Sequence, residues 1–315
     1  MQFRTLFTNV FFALILSAGM VGTASAWEPQ GPIKLEIGFG AGGETDSIGR
    51  VIADALEKQT GWQIVAENKP GGGGIAMFTE ISAMPADGSV IGMGVNMPVM
   101  INLVLRGDKL PFNIDSFDYL ATVARAPLVI IAKSDAPYDD VKELVDWSKK
   151  NGGAAISYDA KPQEMMMRAI DKQENAGFKL IATKSSAEQL QFLLGGQVQA
   201  SFSSGAHIPY MKKGDVKMLA SANSTRQDYA PDVETLKEQG YDLFSDPWFY
   251  IAAPKGLPDD AQQALAGALD KALKTDEVKK IISNTLSTQP VNLGPEGTKK
   301  MFLQGMDGVK GLLGK

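Results

Sequence analysis

Between an apolar, β-favouring run and an amphipathic helix, four glycines fall within six residues: Ile37-Gly38-Phe39-Gly40-Ala41-Gly42-Gly43. Glycine adopts positive φ at little steric cost, so this junction lets the chain turn sharply from strand to helix. Residues 33–39 (IKLEIGF) read as the strand, and Ile48, Val51, Ile52, Ala55 and Leu56 recur at helical spacing beyond it. The same grammar then repeats. Residues 62–68 (WQIVAEN) form a second strand, glycines 71–74 precede an apolar helix over 75–84, and 89–95 (SVIGMGV) is a third strand. Strand, helix, strand, helix, strand predicts a parallel sheet with helices on both faces.

After Pro111 the texture changes and a second α/β series begins. Strands are predicted at 117–124, 128–134 and 154–158, with helices over 139–150 and 163–177. Residues 178–184, 186–196, 197–204, 206–214 and 216–223 continue the alternation. From Leu257 the chain turns helical, and the apolar stripes of these helices need an existing sheet to dock on. The expected architecture is therefore two α/β domains joined by two crossovers, lobe 1 comprising 27–124 plus 249–315 and lobe 2 comprising 125–248. A cleft between such lobes is a natural trap for a small molecule, because hinge closure buries it from both sides.

The ends and the composition narrow the function. Arg4 is the only charge ahead of the mostly apolar run 7–21, and Ala24-Ser25-Ala26 supplies the small-x-small pattern of a signal-peptidase site. Asn9 and Ser17 interrupt that run, whereas a membrane anchor needs about 20 apolar residues. The segment reads as an export signal cut after Ala26. At 315 residues the chain exceeds, even without its leader, the about 100–200 residues of one typical domain. It has no cysteine, so its stability comes from its core rather than from disulfides. Lys and Arg number 31 against 36 Asp and Glu, a formal net charge of −5, and no basic stripe offers a nucleic acid a footing. With no cysteine and only His207, the common zinc and iron sites are excluded, and His207 reads as a structural or surface residue.

The glycine turn admits three readings. Residues 38–43 satisfy G-x-G-x-x-G between a strand and a helix, and Glu67 ends the next strand where a ribose-binding acid belongs, as in a nicotinamide-dependent oxidoreductase. Export, and the lack of an evident catalyst, speak against that reading; no G-K-[ST] follows to make a phosphate loop. A second reading is a turn with glycines for backbone geometry alone. The third is an anion cradle: the amides of Ala41, Gly42 and Gly43 donate to a carboxylate, helped by the dipole of the helix that follows at about 0.3–1 kcal/mol. Asp46 then either caps that helix, worth about 1 kcal/mol, or meets a ligand hydroxyl, amine or water. The pairs Asp139-Asp140 and Asp259-Asp260 sit at predicted helix starts, where carboxylates favour the dipole, and no nucleophile elbow is present.

Residues 38–74, GFGAGGETDSIGRVIADALEKQTGWQIVAENKPGGGG, resemble the opening of the Bug/TctC-type periplasmic solute-binding proteins of tripartite tricarboxylate transporters, with a P-F-x-A-G-G-x-x-D turn and an E-N-x-P-G-x-G-G segment. LLGGQVQASF (193–202) and the stretch 217–260, with PDVETLKEQGY and WFYIAAPKGLP, are similar to further ordered motifs of that family, so the likeness spans nearly the whole mature chain. The resemblance implies a two-lobed periplasmic binding protein, a Venus flytrap of type II-like topology. It implies a monomeric, non-enzymatic receptor without cofactor that catches a small carboxylate and hands it to membrane permease subunits. It further implies that the turn from Phe39 through Thr45 to Asp46 grips one carboxylate through backbone amides and waters, while a loop of the second lobe closes over the other end.

The second-lobe loop departs from that family. In place of its glycine- and serine-rich segment stands SYDAKPQEMMM (157–167), where Tyr158 stacks on or hydrogen-bonds a ligand and Lys161 pairs with a distal carboxylate, or both are ordinary edge and surface residues. Met165, Met166 and Met167 point different ways on a helix and divide between core and surface. Ser185 and Ser186 either cap a helix or face the cleft; Ser203 and Ser204 sit at a strand's C-terminal end, where α/β folds place ligands. Asn68 and glycines 72–74 complete the first-lobe wall, and Trp248 at the second crossover either packs the hinge or forms a wall of the cleft.

Overall fold

The computed structural model describes residues 27–312; the export signal and its cleavage after Ala26 fall outside them. The first lobe opens as the periodicity predicts: β1 (Ile33–Ile37), α1 (Glu44–Thr60), β2 (Ile64–Asn68), α2 (Ile75–Ile81) and β3 (Val90–Val95). β1 pairs in parallel with both neighbours, Leu35 lying opposite Ala66 on one side and Ile91 on the other. Gly92 and Gly94 in β3 let α2 lie close on the sheet, since a Cβ at either would come within 2.7 Å of Ile81 or 2.6 Å of Phe78.

The chain continues through α3 (Asn96–Arg106) to β4 (Phe117–Arg125) and then crosses to a second sheet. That lobe holds β5 (Val129–Lys133), α4 (Val141–Lys150), β6 (Ala155–Tyr158), α5 (Lys161–Glu174), β7 (Lys179–Ala182), α6 (Ser186–Leu194), β8 (Ala200–Ser203), α7 (Ile208–Lys213) and β9 (Val216–Ser221). The chain then returns as β10 (Trp248–Pro254) and finishes with α8 (Asp259–Leu273), α9 (Asp276–Leu286) and α10 (Gly294–Leu312). Two five-stranded sheets result, ordered β2-β1-β3-β10-β4 and β7-β6-β8-β5-β9.

Both sheets are mixed. β10 lies antiparallel between β3 and β4, and β5 runs antiparallel to β8 and β9. The parallel expectation holds for β1 to β3, which are joined by crossover helices; β10 reaches its slot from the other lobe and needs no such helix. Two elements are absent from the periodicity reading. α3 carries Pro98 in its first turn, where the missing N–H has no intrahelical partner to lose. β10 is an unbroken apolar run, whose pattern alone does not separate strand from buried helix.

Helices cover both faces of each sheet. In the first lobe Ile48, Ile52 and Leu56 of α1 meet Leu265 and Leu269 of α8 and Ile282 of α9 on one face; Phe78, Val99, Met100 and Phe302 fill the other. In the second, Leu144 of α4 joins Met167 and Ile170 of α5, and Leu190 and Leu193 of α6 back the opposite face. Full burial of each such side chain contributes about 1.5–3 kcal/mol.

The two crossovers run side by side. The Ala126 amide donates to the Pro247 carbonyl at 2.8 Å, and Asp246 pairs with Arg125 at 2.7 Å. Buried Asn223 ties them to the second lobe, accepting from the Leu128 amide at 2.7 Å and donating to the Ser245 carbonyl at 2.9 Å.

Candidate ligand-binding cleft

The cleft lies where the first turn of α1 faces the C-terminal ends of the second-lobe strands, with the crossovers as its floor; its free space, solvent mouth included, is about 530 Å³. Gly43, Glu44 and Thr45 line it from the first lobe, Asp159, Ser185, Ser186 and Ser204 from the second, and Ser245 from the second crossover. Phe39, Val95, Leu128 and Phe249 supply its apolar wall. α1 begins after Gly43 with no side chain capping it, so the amides of its first turn have no carbonyl one turn earlier within the helix, and Gly43, Glu44 and Thr45 of that turn line this space.

Asp46 does not cap that helix. Its carboxylate reaches back to close the glycine turn, accepting from the Gly42 amide at 2.9 Å, and it also accepts from Arg50 Nε at 2.8 Å and Asn68 Nδ2 at 2.9 Å. The reason is register: Asp46 lies in the first turn, one turn beyond Gly42 and one turn before Arg50, so its charge finds a donor and a cation along its own helix. Asn68 donates and accepts within this cluster, taking Arg50 Nη2 at 2.9 Å.

Of the twelve positions expected to meet a ligand, the structure brings Phe39, Gly43, Thr45, Ser185 and Ser204 to the cleft. Ala41 and Gly42 are exposed beside it, and the Gly42 amide is spent on Asp46. Asp46 and Asn68 are engaged with each other. Tyr158 packs half-buried against the second-lobe core, and Lys161 pairs with Glu164 at 2.8 Å. Ser203 is buried against His207, whose Nδ1 lies 3.0 Å from the serine hydroxyl and whose Nε2 lies 3.1 Å from Tyr229 Oη. Burial pushes the His207 imidazolium down to about 3, so the ring stays neutral, a structural residue as expected. Ser185 does both things asked of it, accepting from the Glu188 amide at 3.3 Å as the cap of α6 while lining the cleft.

Glu44, Asp159 and Ser245 are the polar lining that sequence reasoning missed; Ser186, read like Ser185 as cap or cleft residue, lines it too. Glu44 is 5 % exposed; its carboxylate accepts from the Ser186 hydroxyl and, at 2.6 Å, from the Ala206 amide, so it clasps one lobe to the other. The Gly40 amide adds a second tie, donating to the Lys184 carbonyl at 2.9 Å. Burial, and then the Glu44 charge beside it, push the Asp159 carboxyl up to about 7. No Lys, Arg or His stands among the described residues that line this space. A signal for Glu44 was present: it is the acid inside the turn motif at a position the motif leaves open.

The family model described as tripartite tricarboxylate transporter family receptor matches residues 48–306. The chain belongs to that receptor family. A curated relative of this receptor, the UPF0065 protein in the gbd 5' region of Cupriavidus necator, is 30 % identical over 78 % of this chain and 75 % of its own length. In fold the receptor is similar to the periplasmic binding protein BugD, with a TM-score of 0.82 at 24 % identity, covering 90 % of this chain and 97 % of BugD. It is similar also to MatC from Rhodopseudomonas palustris, a structure with bound malate, with a TM-score of 0.78 at 20 % identity over 90 % of this chain and 99 % of that one. The two-lobed binding-protein fold expected from the sequence is thus the fold of the family. The dinucleotide alternative is not favoured, since the family matched over residues 48–306 is a receptor family.

Proposed function

We propose that this receptor works in the periplasm as a monomer, binds a small organic acid between its lobes and delivers it to the membrane permease subunits of a tripartite transporter. It does so without catalysis and without a cofactor. The lobes are 27–124 with 249–315, and 125–248. The observation that carries the reading is the uncapped first turn of α1, which lines an interlobe cleft together with serines of the second lobe. A carboxylate placed there satisfies donors that the helix itself leaves bare and meets the positive end of the dipole. Gly43, Thr45, Ser185 and Ser204 are its proposed polar contacts, with Phe39 packing on the carbon skeleton. The family description and the malate held by a relative of the same fold support the ligand class.

A thermal-shift panel of mono-, di- and tricarboxylates tests this. An acid at one hundred times its Kd stabilises the folded protein by about 2.7 kcal/mol, which a melting curve resolves. Silence across the whole panel would sink the proposal.

A further inference from the structure

The two lobes are drawn together by a few identifiable contacts. Glu44 of α1 takes the Ser186 hydroxyl and the Ala206 amide, the Gly40 amide donates to the Lys184 carbonyl at 2.9 Å, and Met165 of α5 packs against the first-lobe cluster that holds Val99 and Met100 of α3. Asp159 directly follows β6 and precedes α5 by two residues, and it lines the cleft that these contacts enclose. Glu44 lines the same cleft from the first lobe. Bringing the lobes together therefore places two carboxyl groups, one from each lobe, in one partly desolvated space. The other charges on the surrounding elements are already matched. Lys161 and Glu164 of α5 pair at 2.8 Å, Asp46 of α1 is held by Arg50 at 2.8 Å, and Arg125 and Asp246 of the crossovers pair at 2.7 Å. Glu188 of α6 takes the Lys184 amide at 2.7 Å, and α3 carries no charge before Arg106. His207, ahead of α7, is neutral and engaged with Ser203 and Tyr229. Asp159 joins no ion pair among the described residues, and the amide of Gln163 beside its carboxyl is neutral.

We infer that closure of the lobes is coupled to a proton: Asp159 takes one up as it is brought into the cleft with Glu44, and the closed form gives way to an open one when that proton is lost. Desolvation and a like charge both disfavour an ionised acid, and both are relieved when the lobes part and water enters between them. In the closed form burial, and then Glu44, hold the Asp159 carboxyl up at about 7; a solvated carboxyl returns to about 3.9. The raised value belongs to the closed form, so closure is favoured fully below about pH 4 and loses that advantage as pH rises through about 7. Between these values the closed-to-open ratio falls by at most about tenfold per pH unit. Glu44 thus acts twice: its hydrogen bonds to Ser186 and Ala206 pull the lobes together, and its charge makes their closure conditional on the protonation of Asp159.

The experiment is small-angle scattering from the ligand-free receptor between pH 5 and pH 8, resolved into compact and extended fractions, with circular dichroism at each pH. No ligand is added, so the outcome is separate from that of the organic-acid reading. In the wild type the compact-to-extended ratio should fall by about fivefold or more across this range, with the dichroism unchanged. Asp159→Asn, which stands in for the protonated acid at every pH, should keep the ratio of the low-pH wild type throughout, and Asp159→Ser, which also removes the acid, should show no pH dependence. A wild-type ratio that is constant from pH 5 to pH 8 overturns the coupling, and this arm needs no variant to fold. A pH-driven expansion that persists in the variants assigns it to another group and overturns it too. Expansion in step with loss of the native dichroism is unfolding rather than opening, and likewise overturns it.

Discussion

The Glu44 carboxylate of the first lobe accepts the Ala206 amide of the second at 2.6 Å, and the Ser186 hydroxyl donates to its other oxygen. One side chain thus fastens the two lobes at the first turn of α1, which lines the cleft. Hydrogen bonds to a charged group contribute about 1.5–3 kcal/mol each. Glu44→Ala should therefore shift the lobes toward an open arrangement, increasing the radius of gyration in small-angle scattering and lowering the melting temperature. Scattering curves that superimpose on those of the wild type would exclude the clasp.

Asp159 makes stability depend on pH with a defined sign. Its carboxyl is held up at about 7 in the folded protein by burial and then by Glu44, against about 3.9 when unfolded. The folded state therefore binds the extra proton between these values; the stabilisation is complete below about pH 4 and is lost as pH rises through about 7. Melting temperatures from pH 5 to 8 should fall more steeply for the wild type than for Asp159→Asn. Parallel profiles would refute this.

Glu36 is a buried acid with no evident use. On β1 it is 1 % exposed, both carboxylate oxygens lack partners, and burial followed by Glu80 raises its carboxyl above the ordinary range. An unpaired buried group costs about 1–3 kcal/mol, more when charged. Because the folded-state value is raised, the penalty grows as pH rises above the unfolded value. Glu36→Gln should stabilise the protein by about 1 kcal/mol at pH 8, and by less at pH 5, in urea denaturation; a loss of stability at pH 8 would contradict this.

Ser245 and Asn223 are neighbours at the crossover with opposite expectations. Asn223 accepts from Leu128 and Gln227 and donates to the Ser245 carbonyl, so Asn223→Ala leaves several buried groups unpaired and should cost about 2–3 kcal/mol. The Ser245 hydroxyl bonds nothing. Ser245→Ala should leave urea denaturation within about 0.5 kcal/mol of wild type, and a loss as large as that of Asn223→Ala would contradict this.

Gly205 marks a close approach between the lobes. Its φ is +149°, and a Cβ there would overlap the Thr285 carbonyl at the end of α9. Gly205→Ala adds a strained backbone to a steric clash, at about 1–3 kcal/mol for the strain alone. The expected result is a lower melting temperature together with the larger radius of gyration predicted for Glu44→Ala. An unchanged profile would show that the lobes do not meet there in solution.

Much of this protein is legible without coordinates, because the signals are local. Apolar spacing placed α1, β1, β2 and β3, and the glycines between β1 and α1 marked a turn with a helix start beyond it; Ser185 could be read as cap or contact and is both. α3 and β10 escaped because a proline in a first turn and an unbroken apolar run carry no decisive period. The site was legible only in outline. Phe39, Gly43 and Thr45 lie on one continuous turn, whereas Ser186, Asp159 and Ser245 arrive from separate elements, and periodicity does not say which of them share a cavity.

The amino-acid order by itself determined the two α/β series, the glycine turn and the absence of disulfides, since each depends on neighbouring residues and on composition. Tertiary structure alone decided how the charges in the turn are used. Asp46 closes the turn because Gly42, Arg50 and Asn68 surround it, Glu44 binds the opposite lobe because Ser186 and Ala206 are folded against it, and Asp159 lines a cleft that holds no cationic side chain among the described residues. The partner of a carboxylate is fixed by distances of about 3 Å, and those distances exist only once residues far apart in the chain have been brought together.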